Sequence, residues 1–289
     1  MHPIGANTWI WVSPLTDARL AALAPRIHAW GFDVIELPVE SPGDWDPDRA
    51  ADLLAGLGLG ATVCAVMSAD RDLVTDDAEV VRRTGDYLRY CVRVAARVGA
   101  GVVAGPMYAP VGRTWLLDAD ARAATVRTLR DRLRPLAEEA AGAGVTLAVE
   151  PLNRFETSLL NTTEQALEVV DGIPGLGLAL DTFHMNIEER DIPTAIRTAG
   201  DRLAHVQVCA NDRGAPGNDH LDWTGIVAAL RDVGYDGPLC IESFTAENRT
   251  IATAAAIWRP LAPTQDKLAT GGLAFLRALL ARIGPATGV

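Results

Sequence analysis

The chain has 289 residues, 49% of them hydrophobic, and a formal net charge of −11. That length and apolar content suffice for one large domain or two small ones, while the acidic balance opposes nucleic-acid binding, which needs a basic face. No apolar run approaches the ~20 residues needed to span a bilayer, and the start "MHPIGANTWIWVSP" lacks the basic opening and long apolar core of a signal peptide.

Taken in chain order, strand-like aliphatic runs cover Ile4–Val12, Asp33–Pro38, Ala61–Met67, Gly101–Gly105, Val145–Glu150, Gly177–Asp181, Ala204–Cys209 and Pro238–Phe244. Ala- and Arg-rich stretches with apolar spacing near 3.6 lie between them, such as "DAEVVRRTGDYLRYCVRVAARVG". The stretch "DADARAATVRTLRDRLRPLAEEAAGAG" opens on Asp and closes on Gly, the usual helix start and stop signals. Eight alternations without a composition break predict one domain over residues 1–289, a closed (β/α)8 TIM barrel. A doubly wound open sheet is the competing architecture. It would place a Gly-rich phosphate loop after strand one, where "TWIWVSPLTDARL" has none. The tail "IWRPLAPTQDKLATGGLAFLRALLARIG" reads as the last barrel helices, broken at Pro260 and Pro263. Cys64, Cys91, Cys209 and Cys240 form no CxxC pair, and three lie in strand-like runs. They read as reduced, buried thiols of a cytoplasmic protein.

Chemistry in such a barrel sits where strands end at the C-terminal face. Strand five ends in Glu150, strand six in Asp181 and strand eight in Glu242, and strand seven carries Gln207. The spacings are 31, 26 and 35 residues, about one strand–helix unit each. A carboxylate at a strand end is often only a helix cap or an arginine partner. Four oxygen donors on consecutive strands are harder to explain that way. Three carboxylates that close raise one another's pKa unless a cation sits among them. Oxygen-only donors favour Mn²⁺, Mg²⁺ or Co²⁺ over Zn²⁺.

The blocks "VEPLNRFETSLLNT", "LDTFHMNIEE", "NDRGAPG" and "GYDGPLCIESF" resemble the ketose 3-epimerases (the D-tagatose and D-allulose, or D-psicose, group) of the xylose-isomerase-like TIM-barrel superfamily. The resemblance runs from "GFDVIELP" to "IWRPLA" and is densest between residues 149 and 245. It implies that Glu150, Asp181 and Glu242 bind a divalent metal, most simply Mn²⁺, and that Glu150 and Glu242 also form the acid/base pair. It further implies substrate-side roles for Glu36, Glu156, His184 and Arg213. One position departs: where the group usually carries a metal-binding His, this chain has Gln207, in "HVQVCANDR". A similar "HVQ" occurs in hydroxypyruvate isomerases, whose Gln oxygen is a ligand, so Gln207 is expected to complete the set. Relatives are commonly dimers or tetramers, and Trp258 is a candidate for such a contact.

The expected activity is C3 epimerisation of a free ketose. Aldose–ketose or hydroxypyruvate-type isomerisation, or dehydration of an inositol ketone, on the same barrel are the alternatives. A phosphorylated sugar would need a basic anion site after strands seven and eight, where Arg213 stands alone among acids. An apurinic endonuclease would need many histidines for clustered zinc, and only five are present. A non-catalytic binding protein would have no use for two carboxylates flanking one metal. His205 is expected to be structural and His220 a loop residue; Trp9, Trp11, Met67, Tyr108 and Trp115 are expected to shape the core or the pocket wall, with Trp115 the readiest to meet the substrate or another subunit.

Overall fold

The computed structural model describes residues 2–284. Eight parallel strands close on themselves in sequence order, β8 pairing with β1. They are β1 (Ile4–Asn7), β2 (Val34–Val39), β3 (Gly60–Ala65), β4 (Val102–Gly105), β5 (Thr146–Val149), β6 (Leu176–Asp181), β7 (Leu203–Val208) and β8 (Leu239–Ile241). The helices are α1 (Asp17–Trp30), α2 (Pro47–Leu57), α3 (Ala78–Val98), α4 (Ala119–Gly142), α5 (Thr163–Val170), α6 (Thr182–Glu188), α7 (Ile192–Ala199), α8 (Trp223–Asp232), α9 (Arg249–Ala254) and α10 (Gln265–Ile283). The expected barrel is therefore present.

The helix signals operate as read. Asp77 and Asp118 cap α3 and α4 by accepting backbone N–H bonds, and Gly31, Gly58 and Gly99 close α1, α2 and α3 in the left-handed conformation. Thr162 and Gln165 form a reciprocal capping box at α5. Strands with both faces covered read as unbroken apolar runs, and β2, β4 and β6 are buried throughout.

Two end strands are shorter than expected. After Asn7 the chain turns into a single 3₁₀ turn, Thr8–Ile10, because the Asn7 side chain accepts the Trp9 N–H at 2.9 Å and ends the ladder. The apolar character of Trp9–Val12 thus belongs to a packed turn. At the other end, β8 stops at Ile241 and Glu242 lies just beyond it, its N–H held by Val208 O at 3.1 Å. The tail from Ile257 holds one helix rather than several: α9 ends before it, and Pro260 and Pro263 lie in the loop that leads into α10.

The end of β4 positions the first site residue. Gly105 sits at φ 144°, and a Cβ there would lie 2.5 Å from Ala65 O, so only glycine lets β3 and β4 approach. The Gly105 carbonyl in turn accepts the Glu150 N–H at 2.9 Å, fixing the exit from β5.

Candidate active site and metal centre

A cavity of about 560 Å³ opens at the C-terminal end of the strands. Glu150, Glu156, His184, Gln207, Arg213 and Glu242 all line it, with Trp9, Met67 and Phe244 among its apolar walls. Asp181 is buried at the end of β6, where its Oδ1 accepts the Phe183 N–H that starts α6. The barrel register sets Asp181 beside Gln207. Residues read from four strands therefore meet.

Arg213 lies in a tight turn with φ 68°. Its N–H donates to Ala210 O, and Ala210 N–H donates back to Gly214 O, both at 3.0 Å. Its Nη1 donates to Asp181 Oδ2 and, at 2.9 Å, to Glu242 Oε2. The guanidinium also lies 4.1 and 5.3 Å from the ring centres of Phe183 and Phe244, a desolvated setting in which cation–π attraction counts.

His184 is oriented by Asn153, a residue with no role in the sequence-based expectation. Asn153 N–H donates to His184 Nδ1 at 3.0 Å, and the Asn153 side chain also donates to Glu156 Oε1 at 2.8 Å. Because Nδ1 accepts, a neutral ring carries its proton on Nε2, 3.5 Å from Glu150 Oε1 and 3.7 Å from Asp181 Oδ2. Burial first, and then Arg213, hold the His184 pKa well below its usual value, which keeps the ring neutral. The 3.0 Å approach of Arg213 Nη2 to Nε2 is then a contact of two donors rather than a hydrogen bond. In the sequence Asn153 is legible only as part of "VEPLNRF", where nothing marks an amide as an orienting group.

Glu36 corrects an expectation. It does not line the cavity and is fully buried on β2, with Asn7, Thr62, Gln207 and His205 around it. This inward-facing β2 side chain lies one layer beneath the mouth, so the expected substrate contact is replaced by contacts to the barrel interior. Asn7, which carries no sequence signal either, reaches both Glu36 Oε1 and Glu242 Oε1 at 3.3 Å. Trp11 also leaves the pocket: it stacks on Trp30, and its indole N–H bonds Asp266. Tyr108 is core, bonded to Leu160 O, and Trp115 lies against Arg113. All four cysteines are free and buried.

Two carboxyls are held far from their ordinary behaviour. Burial pushes the Glu150 pKa well up, and the neighbouring Glu242 and Asp181 charges push it further against the pull of Arg213. Glu242 is also raised, by burial first; Arg213 opposes, and Asp181 and Glu36 add to the rise. A carboxyl whose folded pKa is raised contributes stability that is complete below its unfolded pKa and is lost as pH rises through the folded value. Metal-stripped protein should therefore lose stability as pH climbs above the ordinary carboxylate range, and Glu150→Gln should flatten that decline. Thermal melts of both proteins in chelator across pH give the comparison; parallel curves would show that Glu150 is not the group responsible.

The donor set fits a divalent cation. Glu150, Asp181 and His184 each offer an atom within 4.8 Å of the others. His184 is a poor ligand here because Nδ1 is occupied and Nε2 carries the proton. Gln207 answers better: its Oε1 is buried with no hydrogen-bond partner, whereas its Nε2 donates to Glu242 Oε1 at 2.7 Å. An orphaned buried carbonyl is costly unless something pairs with it. An oxygen-rich set of this kind matches a hard or borderline divalent ion.

Comparison with known proteins agrees with this geometry. Residues 24–278 match the xylose isomerase-like TIM barrel family. A probable ketose 3-epimerase of Synechocystis sp. is 36% identical over 275 residues, covering 94% of this chain and 95% of that protein. An L-ribulose 3-epimerase of Mesorhizobium japonicum is 35% identical over 280 residues, covering 96% of this chain and 93% of that protein. A solved structure of L-ribulose 3-epimerase superposes with a TM-score of 0.89 at 32% identity over the whole of both chains. A D-allulose 3-epimerase from Methylomonas sp., solved with D-allulose, gives 0.87 at 29% identity over 96% of this chain and 97% of that one. The chain belongs to the ketose 3-epimerases of the xylose isomerase-like TIM barrel family, and is an isomerase-class enzyme acting on a small sugar.

Proposed function

Starting from that membership, we propose that the chain interconverts free ketoses epimeric at C3, of the D-fructose/D-allulose, D-tagatose/D-sorbose or L-ribulose type. Two buried glutamates, Glu150 beyond β5 and Glu242 beyond β8, face one cavity from non-adjacent strands, and this observation carries the reading. Glu150, Asp181, Gln207 and Glu242 would hold the divalent ion, Mn²⁺ by preference, with Mg²⁺ or Co²⁺ able to replace it. Such an ion, when bound, polarises a carbonyl and stabilises negative charge on adjacent oxygens.

The chain's own groups then divide the work. One glutamate takes the proton from C3, the electron pair moves into the C2 carbonyl, and an enediolate results. The other glutamate delivers a proton to C3 from the opposite face, restoring the ketone with inverted configuration. Proton exchange with solvent resets the pair. Burial favours this role, because a raised pKa brings a carboxyl nearer to neutrality, where it accepts and returns protons well. His184 Nε2–H and Arg213 donate to sugar oxygens, and Glu156 accepts from a hydroxyl. Trp9, Met67 and Phe244 keep water from the reacting carbons.

A cytoplasmic location and assembly as a homodimer or homotetramer belong to the same proposal. The apolar side chains of Leu116, Phe155 and Trp258 stand exposed and support the second point. Among the described residues no helix is long and apolar enough to cross a membrane.

Proton NMR in D₂O tests the reading. Mn²⁺-loaded protein is incubated with D-fructose, D-tagatose, D-allulose or L-ribulose, then stripped of metal before spectra are taken. A new 3-epimer carrying deuterium at C3 is the expected result. Aldose product with exchange at C1 would replace epimerisation by isomerisation, and no exchange in any sugar would remove both.

A further inference from the structure

Beneath the cavity lies a second buried cluster that the reaction does not use directly. Glu36 Oε1 accepts from Gln207 Nε2 at 3.2 Å and from Asn7 Nδ2 at 3.3 Å. Its Oε2 accepts from Thr62 Oγ1 at 3.3 Å and lies 2.7 Å from His205 Nε2. That last contact is close but is not an aligned hydrogen bond, and His205 packs against the carboxylate. Gln207, Asn7 and Thr62 each present a donor, and Glu36 is the acceptor to all three.

We propose that Glu36, held by Asn7 and Thr62, is the positioning residue that fixes the amide orientation of Gln207 and so aims its carbonyl oxygen at the cation. An amide's oxygen and NH₂ ends are nearly isosteric, and only the surrounding hydrogen bonds choose which of them faces a cation. Turned over, Gln207 would bring its oxygen within 2.7 Å of Glu242 Oε1 and 3.2 Å of Glu36 Oε1, acceptor against acceptor. Glu242 alone is a divided guide, since it also serves the site above and is shared with Arg213. Glu36 lies below and is fully buried, away from the cavity. A partner that orients a metal ligand from behind commonly contributes about 10–100-fold in metal affinity.

The inference rests on the four-ligand reading, and its test separates the two. Mn²⁺ binding is measured by calorimetry and by the loss of the free-ion EPR signal, with no sugar present. The proteins compared are wild type, Glu36→Gln, Gln207→Met and the double variant that combines both substitutions. Thermal melts without metal check that each is folded. Wild type binding tightly, Glu36→Gln binding about 10–100-fold more weakly, and the double variant binding like Gln207→Met alone would support the proposal. In that case the loss exists only while an amide must be oriented. Equal binding by wild type and Glu36→Gln would overturn it. So would an equal loss from Glu36→Gln whether or not Gln207→Met is also present, which marks a general structural effect. A wild-type protein that does not bind Mn²⁺ would instead overturn the ligand set itself.

Discussion

Glu150→Gln and Glu242→Gln should each abolish epimerisation while leaving half of the proton chemistry intact. A positioned acid or base commonly contributes about 10²–10⁴-fold, so the turnover of either variant should fall by that factor or more. The amide keeps an oxygen for the cation but cannot take a proton. With one base left, the sugar epimer whose C3–H faces it can still exchange that proton with D₂O, without inversion. The two variants should therefore retain deuterium exchange into opposite epimers. This asymmetry follows from carboxylates placed beyond two different strands. A single base serving both faces would predict instead that one variant loses all exchange and the other loses little. Spectra recorded on each purified epimer with each variant decide the matter.

Arg213→Met should unfold the metal-free protein at markedly lower temperature. Arg213 is 3% exposed and bridges Asp181 and Glu242, and its guanidinium stays fully charged in any normal pH range. Removing one partner from a buried ion pair costs about 3–5 kcal/mol, because it strands the charge left behind. At this chain length each kcal/mol moves the melting temperature by roughly 2–4 °C. A fall of about 6–20 °C is therefore expected in chelator. Mn²⁺ should restore much of it, since a divalent ion compensates the same carboxylates. Calorimetric scans with and without Mn²⁺ provide the comparison. An equal fall in both conditions would mean that Arg213 stabilises through packing against Phe183 and Phe244 rather than through charge.

The neighbours of Arg213 also show why the fold is easier to read than the site. The barrel is visible in the rhythm of aliphatic runs, and its closure needs only their number. Glu150, Asp181, Gln207 and Glu242 are visible because strand ends are one-dimensional landmarks, so a residue's place in the run gives its place in the mouth. The depth of a side chain is not marked in that way. Glu36 looks in sequence like the residues of the mouth, yet lies a layer beneath, and Asn7 ends its strand by bonding the Trp9 N–H, a local competition hidden in an apolar stretch. The role of Asn153 depends on a hydrogen bond from loop to helix across 31 residues, and no periodicity reports such a pair. Arg213 is legible as a cation near the ligands, but its bridging of two of them is not.

The surplus of negative charge has a kinetic consequence as well. Carboxylates gathered at the mouth of a chain with a net charge of −11 project a field that attracts cations from a distance and leaves a neutral sugar unaffected. Capture of the ion is thus steered and sensitive to ionic strength, because salt screens exposed charges over about 10 Å at 0.1 M. Encounter with the ketose proceeds at the unsteered rate in any salt. An anionic sugar phosphate would approach a chain whose net charge stays negative with the ion in place, so its encounter is slowed while that of a neutral sugar is not.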